Sequence, residues 1–475
     1  MARQTAYRER NHALAALAVG AHGLALLAAL PLTLLMKDPL LLWMRAGAWP
    51  LLLIASMAGM AAALALPPRR RAGQAVLLLA WLAVLCSACY REVEYCARQR
   101  RVETATGEDA QTLRRVGEHL VVGYRSPADL RQLVTRGYIG GVIVRQDNAA
   151  GRARQQLRAE IDALQALRRR AGLPPLLIAA DQEGGAVAHL SPPLPRQPPL
   201  AALVASGARG AALRQLAMSY GFEQGAALRA VGVNTNFSPV VDLKPVRGSI
   251  ALDFFSRIAS RAIASDPATV TEVALAYSQG LAAQGIVPTL KHFPGLGSAT
   301  ADTHRFNAEL TQTIAQLEAA DWRPFRAILR RTEALLMVGH ATLTAVEPGL
   351  PASVSGKLID EIVRRRWGHE GVIISDDLTM APTYRRGLCD SSLRALVAGT
   401  DLLLLAYDWQ QVYTVLDCLL SAAAGGRLPD LTASKARLSQ LPWRAAAAPG
   451  ADPQRSHDAD ITPSLSTYWK SNAPP

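Results

Sequence analysis

Aromatic residues make up only 5% of this 475-residue chain, charged residues only 19%, and cysteine occurs five times, at 86, 89, 96, 389 and 418. Each shortage excludes something. So few aromatic side chains leave little material for a stacking platform that binds single-stranded nucleic acid. Five scattered cysteines are too few for a disulfide scaffold, and no Cys-x-x-Cys pair is followed by a second ligand pair, which argues against a structural zinc site. Cys86 and Cys89 fall inside an apolar run and read as small buried hydrophobes. Their Leu-Cys-Ser-Ala-Cys context is a poor lipid-attachment signal. The globular part also lacks a basic run. The formal net charge is +13, but residues 1–101 hold 12 Lys/Arg against 4 Asp/Glu, while the other 374 residues hold 39 against 34. A nucleic-acid-binding face would put the basicity on the globular part instead.

What the chain has in quantity is apolar surface. Hydrophobic residues reach 50% and the mean hydropathy is +0.11, which excludes a disordered or collagen-like chain and points to membrane segments. A length of 475 exceeds one ordinary domain, so two or three units are expected. Residues 13–36 contain no Lys, Arg, Asp or Glu, and further apolar runs cover 46–66 and 72–90, the last two separated by Pro67-Pro68-Arg69-Arg70-Arg71. Each is long enough to cross a bilayer core. A cleaved signal peptide would account for one run, not three, and runs apolar all round fit spans better than buried core helices. Residues 1–101 are therefore predicted to form a three-helix transmembrane region. Arg3, Arg8 and Arg10 precede the first span and three arginines precede the third, so the N-terminus is expected in the cytoplasm. Three spans then place the globular part outside. Arg91, Arg98, Arg100 and Arg101, after the third span, oppose that orientation.

From residue 102 to 444 the pattern changes. Short apolar β-type runs occur at His119–Gly123, Gly140–Val144, Pro175–Ala180, Gly232–Asn236, Val287–His292, Ala334–Gly339, Gly371–Ser375 and Asp401–Leu405. Between them lie segments of helical period such as Ala150–Ala171, Gly207–Val231 and Pro267–Gln284. Eight alternating units predict an α/β fold, a (β/α)8 TIM-type barrel. The rival is an open doubly wound sheet, but no Gly-rich phosphate fingerprint follows the first run. Residues 445–475, rich in Ala, Pro, Ser and Asp without a period, read as a disordered tail.

In a barrel, chemistry gathers where strands finish. The third run ends in Asp181-Gln182-Glu183-Gly184-Gly185, and the fourth leads through Asn236 and Pro239 to Asp242. The fifth ends in Lys291-His292, the sixth in His340 and the seventh in Asp376-Asp377. One polar residue at a strand end is often a cap or a loop bond, and Asp377 in particular fits a helix cap. Charged residues at five strand ends of one face imply a cleft holding carboxylates and cations together.

Five stretches carry a family likeness: Leu177–Val187, Gly232–Leu243, Arg261–Pro267, Lys291–His304 and Gly371–Met380. Taken in order, they make Thr112 to about Leu441 resemble the catalytic barrel of family 3 glycoside hydrolases, above all the bacterial β-N-acetylhexosaminidases. The resemblance implies that Asp376 is a nucleophile forming a covalent glycosyl-enzyme. It implies that His304 is the general acid/base and Asp302 its orienting partner, as in the Asp-Ser/Thr-His motif of that branch. An imidazole titrates near neutrality, which suits a group that must give and then take a proton. Asp181 matches a ligand of sugar hydroxyls, and Arg261, Lys291 and His292 match substrate-binding residues.

This sequence departs from the family at three places: Ala186 and His189 stand where the family often has Arg, and Leu296 where it often has His. His189 can still bond a sugar hydroxyl, more weakly than a charged fork. The expected protein is thus a membrane-anchored retaining glycosidase acting on N-acetylglucosamine-containing glycans, with no cofactor or metal and no nucleic-acid partner. A different β-glycosidase or a phosphorylase on the same barrel, and a non-catalytic glycan-binding membrane protein, remain the alternatives.

Overall fold

The structure, a computed structural model, describes residues 2–35, 38, 42, 45–65, 71–245, 256–299 and 301–445. The tail expected over 445–475 lies, from 446 onward, outside the described residues. The chain divides into two compact units, Met1–Thr104 and Ala105–Pro475.

The first unit is three helices: α1 (Ala2–Leu35), α2 (Arg45–Leu64) and α3 (Arg71–Thr104). All three are long and apolar enough to cross a membrane, over Leu17–Leu35, Gly47–Leu64 and Ala72–Thr104. Leu24, Leu27, Leu51 and Leu79 point outward at more than half of full exposure, as lipid-facing residues do. Inside the unit, Trp81 Nε1 donates to His22 Nδ1 at 3.1 Å. The indole presses on Gly59 so closely that a Cβ there would stand 2.2 Å from it, the kind of approach that small residues permit between membrane helices. The apolar run in α3 ends near residue 90, yet the helix continues to Thr104. Its charged extension is laced by i,i+4 pairs, with Arg98 Nη2 at 2.5 Å from Glu94 Oε1 and Gln99 bonded to Glu103 at 2.8 Å.

The second unit is a closed eight-stranded parallel barrel. Its strands are β1 (Leu120–Val122), β2 (Gly141–Val144), β3 (Leu177–Ala180), β4 (Thr235–Asn236), β5 (Val287–Phe293), β6 (Leu335–Val338), β7 (Ile373–Asp377) and β8 (Leu402–Leu405). Each of the eight apolar runs overlaps one of these strands. Closure rests on β1 against β8, with Leu120 opposite Leu403, which removes the open-sheet alternative. Inward residues such as Val121, Ile143, Leu177, Phe237, Leu335, Met337, Ile374 and Leu404 fill the lumen. Burying each large side chain there stabilises the fold by roughly 1.5–3 kcal/mol. Leu438 and Leu441 join the same core from the C-terminal helices.

The helices outside follow their local signals. Arg154–Arg170 buries Leu157, Ile161, Leu164 and Arg168, spaced four, three and four, on one face. Pro267–Ala282 starts where Asp266 caps Thr269 N at 2.8 Å and Pro267 takes the first helical position.

Two irregularities aim the site. Between Leu290 and Phe293, β5 advances three residues while β6 advances two, and β7 does the same against β8 between Ile374 and Asp377. A bulged strand loses its strict alternation of faces. Consecutive residues Lys291–His292 and Asp376–Asp377 therefore line the same pocket.

Cys389 and Cys418 form a disulfide, with 5.6 Å between their Cα atoms. It joins the helix Leu388–Val397, after β7, to the helix Val412–Ala424, after β8. The low cysteine count argues against a disulfide scaffold and gives no sign of this bridge. Only the packing of successive helices around the barrel brings together two residues that stand 29 apart in sequence.

Candidate active site

At the C-terminal ends of the barrel strands lies a cavity of about 190 Å³. Asp181, His189, Arg261, Lys291, His292, His304 and Asp376 all line it, and Asp302 stands directly behind His304. The sequence therefore named side chains that fold into one place. How each is held determines what the place can do.

Asp376 follows Ser375 in the bulge of β7, and its Oδ1 accepts the Asp377 N–H at 2.8 Å. Burial pushes its carboxyl up, but the neighbouring imidazoles of His292, His340 and His304 outweigh this and hold it below the ordinary carboxylate value. Among the described residues, its second oxygen accepts no hydrogen bond. His340 is fully buried, with Nε2 at 2.9 Å from the Asp377 carbonyl and Nδ1 at 2.7 Å from Ser353 Oγ. Those partners make Nε2–H the donor and Nδ1 the acceptor of the serine hydroxyl, and burial lowers the pKa. His340 thus clamps the backbone that carries Asp376.

Asp377 plays a different part. Burial lifts its pKa to about 6, and its oxygens accept from Thr379 N, Thr379 Oγ1 and Tyr407 N at 2.8–2.9 Å. It ties the loop after β7 to the loop after β8, and it does not cap the helix that follows, whose N-cap position is Met380.

His304 sits on the loop after β5. Its Nδ1 lies 2.9 Å from Asp302 Oδ1, and the same oxygen accepts its backbone N–H at 2.9 Å. Asp302 is 1% exposed while His304 is 23% exposed. A buried carboxylate therefore grips one ring nitrogen and leaves Nε2 toward the cavity.

Opposite, a dense ion-pair network forms the floor. Glu183 accepts two bonds from Arg261, at 2.9 and 2.6 Å, and lies 2.7 Å from Lys291 Nζ, which also reaches Asp181 Oδ1 at 2.6 Å. Arg261 Nη2 is 3.3 Å from His292 Nε2, and the other ring nitrogen of His292 is 2.7 Å from Asp242. Burial pushes the Glu183 carboxyl up, but Arg261 and Lys291 hold it far below the usual carboxylate range. Burial likewise works against the Lys291 charge, which Asp181 and Glu183 more than restore. Glu183 and Asp242 were visible at strand ends, but sequence reasoning gave neither a role. Both hold the cations and the imidazole that face the cavity.

Removing Glu183 would leave two buried cations sharing one carboxylate. Glu183→Gln is expected to cost about 3 kcal/mol or more, read as a shift in the denaturation midpoint. A depressed carboxyl pKa contributes stability that is present above its unfolded value and lost as pH falls. The gap between wild type and Glu183→Gln should therefore narrow below about pH 4.3.

His189 stands at 3.8 Å from Asp181 through Nδ1, and burial lowers its pKa. Its backbone N–H donates to the Asp181 carbonyl at 3.0 Å, and its ring is close enough to the Asp181 carboxylate to share a hydroxyl ligand with it. Leu296 lines the cavity, whereas Ala186 is absent from its wall. Arg145, directly after β2, and Tyr407, after β8, complete the wall and were not singled out from sequence. Among the described residues no group of three or more His, Cys, Asp and Glu side chains is placed to share a metal ion.

This arrangement can be set beside known proteins. The model of the glycosyl hydrolase family 3 N-terminal domain matches residues 112–440. A β-hexosaminidase of Alkalilimnicola ehrlichii is 36% identical over 296 residues, covering 62% of this chain and 81% of that protein. The β-hexosaminidase LpqI of Mycobacterium tuberculosis is 32% identical over 322 residues, covering 66% and 78%. Among solved structures, a family 3 β-N-acetylglucosaminidase from Paenibacillus aligns with a TM-score of 0.64 and 29% identity over 75% of this chain, which spans 66% of that one.

Proposed function

The chain belongs to glycosyl hydrolase family 3, and we propose that it is a retaining β-N-acetylhexosaminidase that removes terminal β-linked N-acetylglucosamine from cell-wall-type glycans or muropeptides. One observation carries the assignment of roles: an ionised Asp376 and a histidine gripped by a buried aspartate share one cavity at the chemical end of the barrel.

In the first step Asp376 attacks the anomeric carbon while His304 Nε2–H gives its proton to the glycosidic oxygen. The carbon–oxygen bond breaks, the leaving alcohol departs, and a glycosyl ester remains on Asp376. The imidazole is left as the Nδ1–H tautomer that Asp302 favours, and Nε2 then takes a proton from water. The resulting hydroxide equivalent attacks the same carbon and releases Asp376, and two inversions give retention. Asp181, Lys291, Arg261, His292 and His189 would bind the sugar hydroxyls and the N-acetyl group. The test is a panel of aryl β-glycosides with the full chain in detergent. Preferential cleavage of the β-N-acetylglucosaminide supports the reading; cleavage confined to another sugar contradicts it.

The three apolar helices are compatible with membrane anchoring. We extend this to a multi-pass inner-membrane protein in which residues 1–101 are the anchor and 102–444 the catalytic barrel, exposed outside the cytoplasm. Arginines before the first and third spans favour that orientation. So does the Cys389–Cys418 bond, since disulfides persist in oxidising compartments and are rare in the cytosol. The arginines from 91 to 101 count against it. A reporter fused after Asp109, in one version active only outside the cytoplasm and in another only inside, is expected to signal in the first. A signal from the second alone overturns the orientation.

A further inference from the structure

The barrel unit is nearly neutral as a whole, but its charge is not spread evenly. In a parallel barrel each helix ends where the next strand begins, so the segments from a helix's last turn into the following strand share one face, opposite the catalytic cavity. Those segments are 114–119, 136–140, 168–176, 229–234, 283–286, 329–334, 364–372 and 398–401. With 425–445, after the last barrel helix, they hold 16 Lys/Arg against 5 Asp/Glu. All residues from 102 onward hold 39 against 34, so the remainder of the unit is acidic.

Exposure sharpens the contrast. Eleven of these cations are exposed, against three of the acids, Glu333, Glu370 and Asp430. The less exposed cations are answered internally: Arg364 and Arg437 close on Asp401, and Arg168 donates to the carbonyls of Val134 and Ile139. Among the described residues, exposed Arg169, Arg170, Arg330, Arg331 and Arg427 form no ion pair. A helix dipole accounts for a cation in a last turn, and its effect fades beyond that turn. It does not account for the runs of three at 168–170 and 364–366, nor for Arg330, Arg331 and Arg427, which lie beyond the last helical residue.

The chain also enters the barrel unit at this face. The Ala105 carbonyl accepts from Arg136 Nη2 at 2.7 Å, and Arg114 Nε donates to the Arg136 carbonyl at 3.2 Å. The preceding residue, Thr104, ends α3, the last of the three apolar helices. The covalent link to the anchor therefore leaves from the basic face.

We propose that this face binds the anionic headgroups of the membrane that carries the anchor. A tether keeps the local headgroup concentration high, so weak contacts add. Each exposed arginine close to an anionic surface strengthens such attachment by roughly fivefold at moderate salt. The same surface repels the acidic remainder of the unit, so the cavity at the other ends of the strands opens away from the lipid, onto glycan that stands clear of the bilayer. The inference rests on the membrane reading of α1–α3 and adds to it a second, electrostatic contact.

Modification by phenylglyoxal, a reagent selective for arginine, tests it on the full chain in lipid nanodiscs, with rates read residue by residue by mass spectrometry. Discs of phosphatidylcholine are compared with discs in which about a third of the lipid is phosphatidylglycerol. Arg169, Arg170, Arg330 and Arg331 are expected to react about threefold slower or more in the anionic discs, and to recover in ~0.5 M salt. Arg209 and Arg386, exposed at the cavity end, should react alike in both. A variant with Arg169→Gln, Arg170→Gln, Arg330→Gln and Arg331→Gln should lose the protection at Arg427 as well. Equal rates in the two kinds of disc, or protection of Arg427 that survives in the variant, overturn the proposal. So does protection by soluble polyphosphate with none from anionic discs, which assigns the face to a soluble polyanion. Retention in the neutral discs reads the anchor separately. A chain that leaves neutral discs but is held and protected by anionic ones contradicts the anchor and supports the basic face.

Discussion

Asp376→Asn is expected to lower kcat/KM on aryl β-N-acetylglucosaminides by roughly four powers of ten, because a whole chemical step loses its attacking group. The change is nearly isosteric. An asparagine oxygen can still accept the Asp377 N–H that Asp376 Oδ1 accepts at 2.8 Å, so the loop should keep its shape. The charge is what disappears. The three imidazoles that now hold the carboxyl ionised would then face a neutral amide. Unchanged thermal stability with collapsed activity is the expected pair of results. A variant that keeps most of its activity would mean that another group attacks the sugar.

His304→Ala comes next in size, and its effect depends on the substrate. Losing a general acid costs about 10²–10⁴-fold when the leaving group needs a proton. A natural sugar alcohol needs one, whereas a nitrophenolate departs almost without help. The variant should therefore fail on disaccharides and stay measurably active on activated aryl glycosides. Asp302→Ala should give a milder form of the same split, since the ring would lose its 2.9 Å anchor without losing the proton-carrying group. Equal losses on both substrate types would point to a structural role for the loop that Asp302 also holds through the His304 backbone N–H.

Much of this protein was legible because its elements have simple periods. All eight barrel strands could be read as short apolar runs, since strands buried on both faces have no polar alternation to confuse them. The three long apolar helices were legible because their runs are uncharged over a length that could cross a bilayer. The end of α3 was not, because its last turns are stabilised by Arg98–Glu94 and Gln99–Glu103 pairs rather than by apolar content.

The site was legible where chemistry clusters in one motif, as in Asp302-Thr303-His304, or where the family likeness reached. It was not legible where a role depends on a neighbour distant in sequence. Glu183 matters because Arg261, 78 residues later, closes on it. Arg145 is held on the cavity wall by Tyr407, 262 residues later, which supplies both a carbonyl and a ring. The Cys389–Cys418 bond belongs to the same class: only the barrel's order of helices makes those residues neighbours. The bulges in β5 and β7 were equally invisible. A run of apolar residues says that a strand is there, not that it gains one residue on its partner just where Asp376 must turn inward.

The central claim is that this barrel works through a covalent glycosyl ester on Asp376. A fluorinated N-acetylglucosaminyl reagent that forms this ester quickly and loses it slowly tests it most directly, with peptide mapping of the labelled full chain. The account predicts one label, on the peptide containing Asp376, and its loss in Asp376→Asn. A label on a different carboxylate, or no label together with a first product of inverted anomeric configuration, would contradict it.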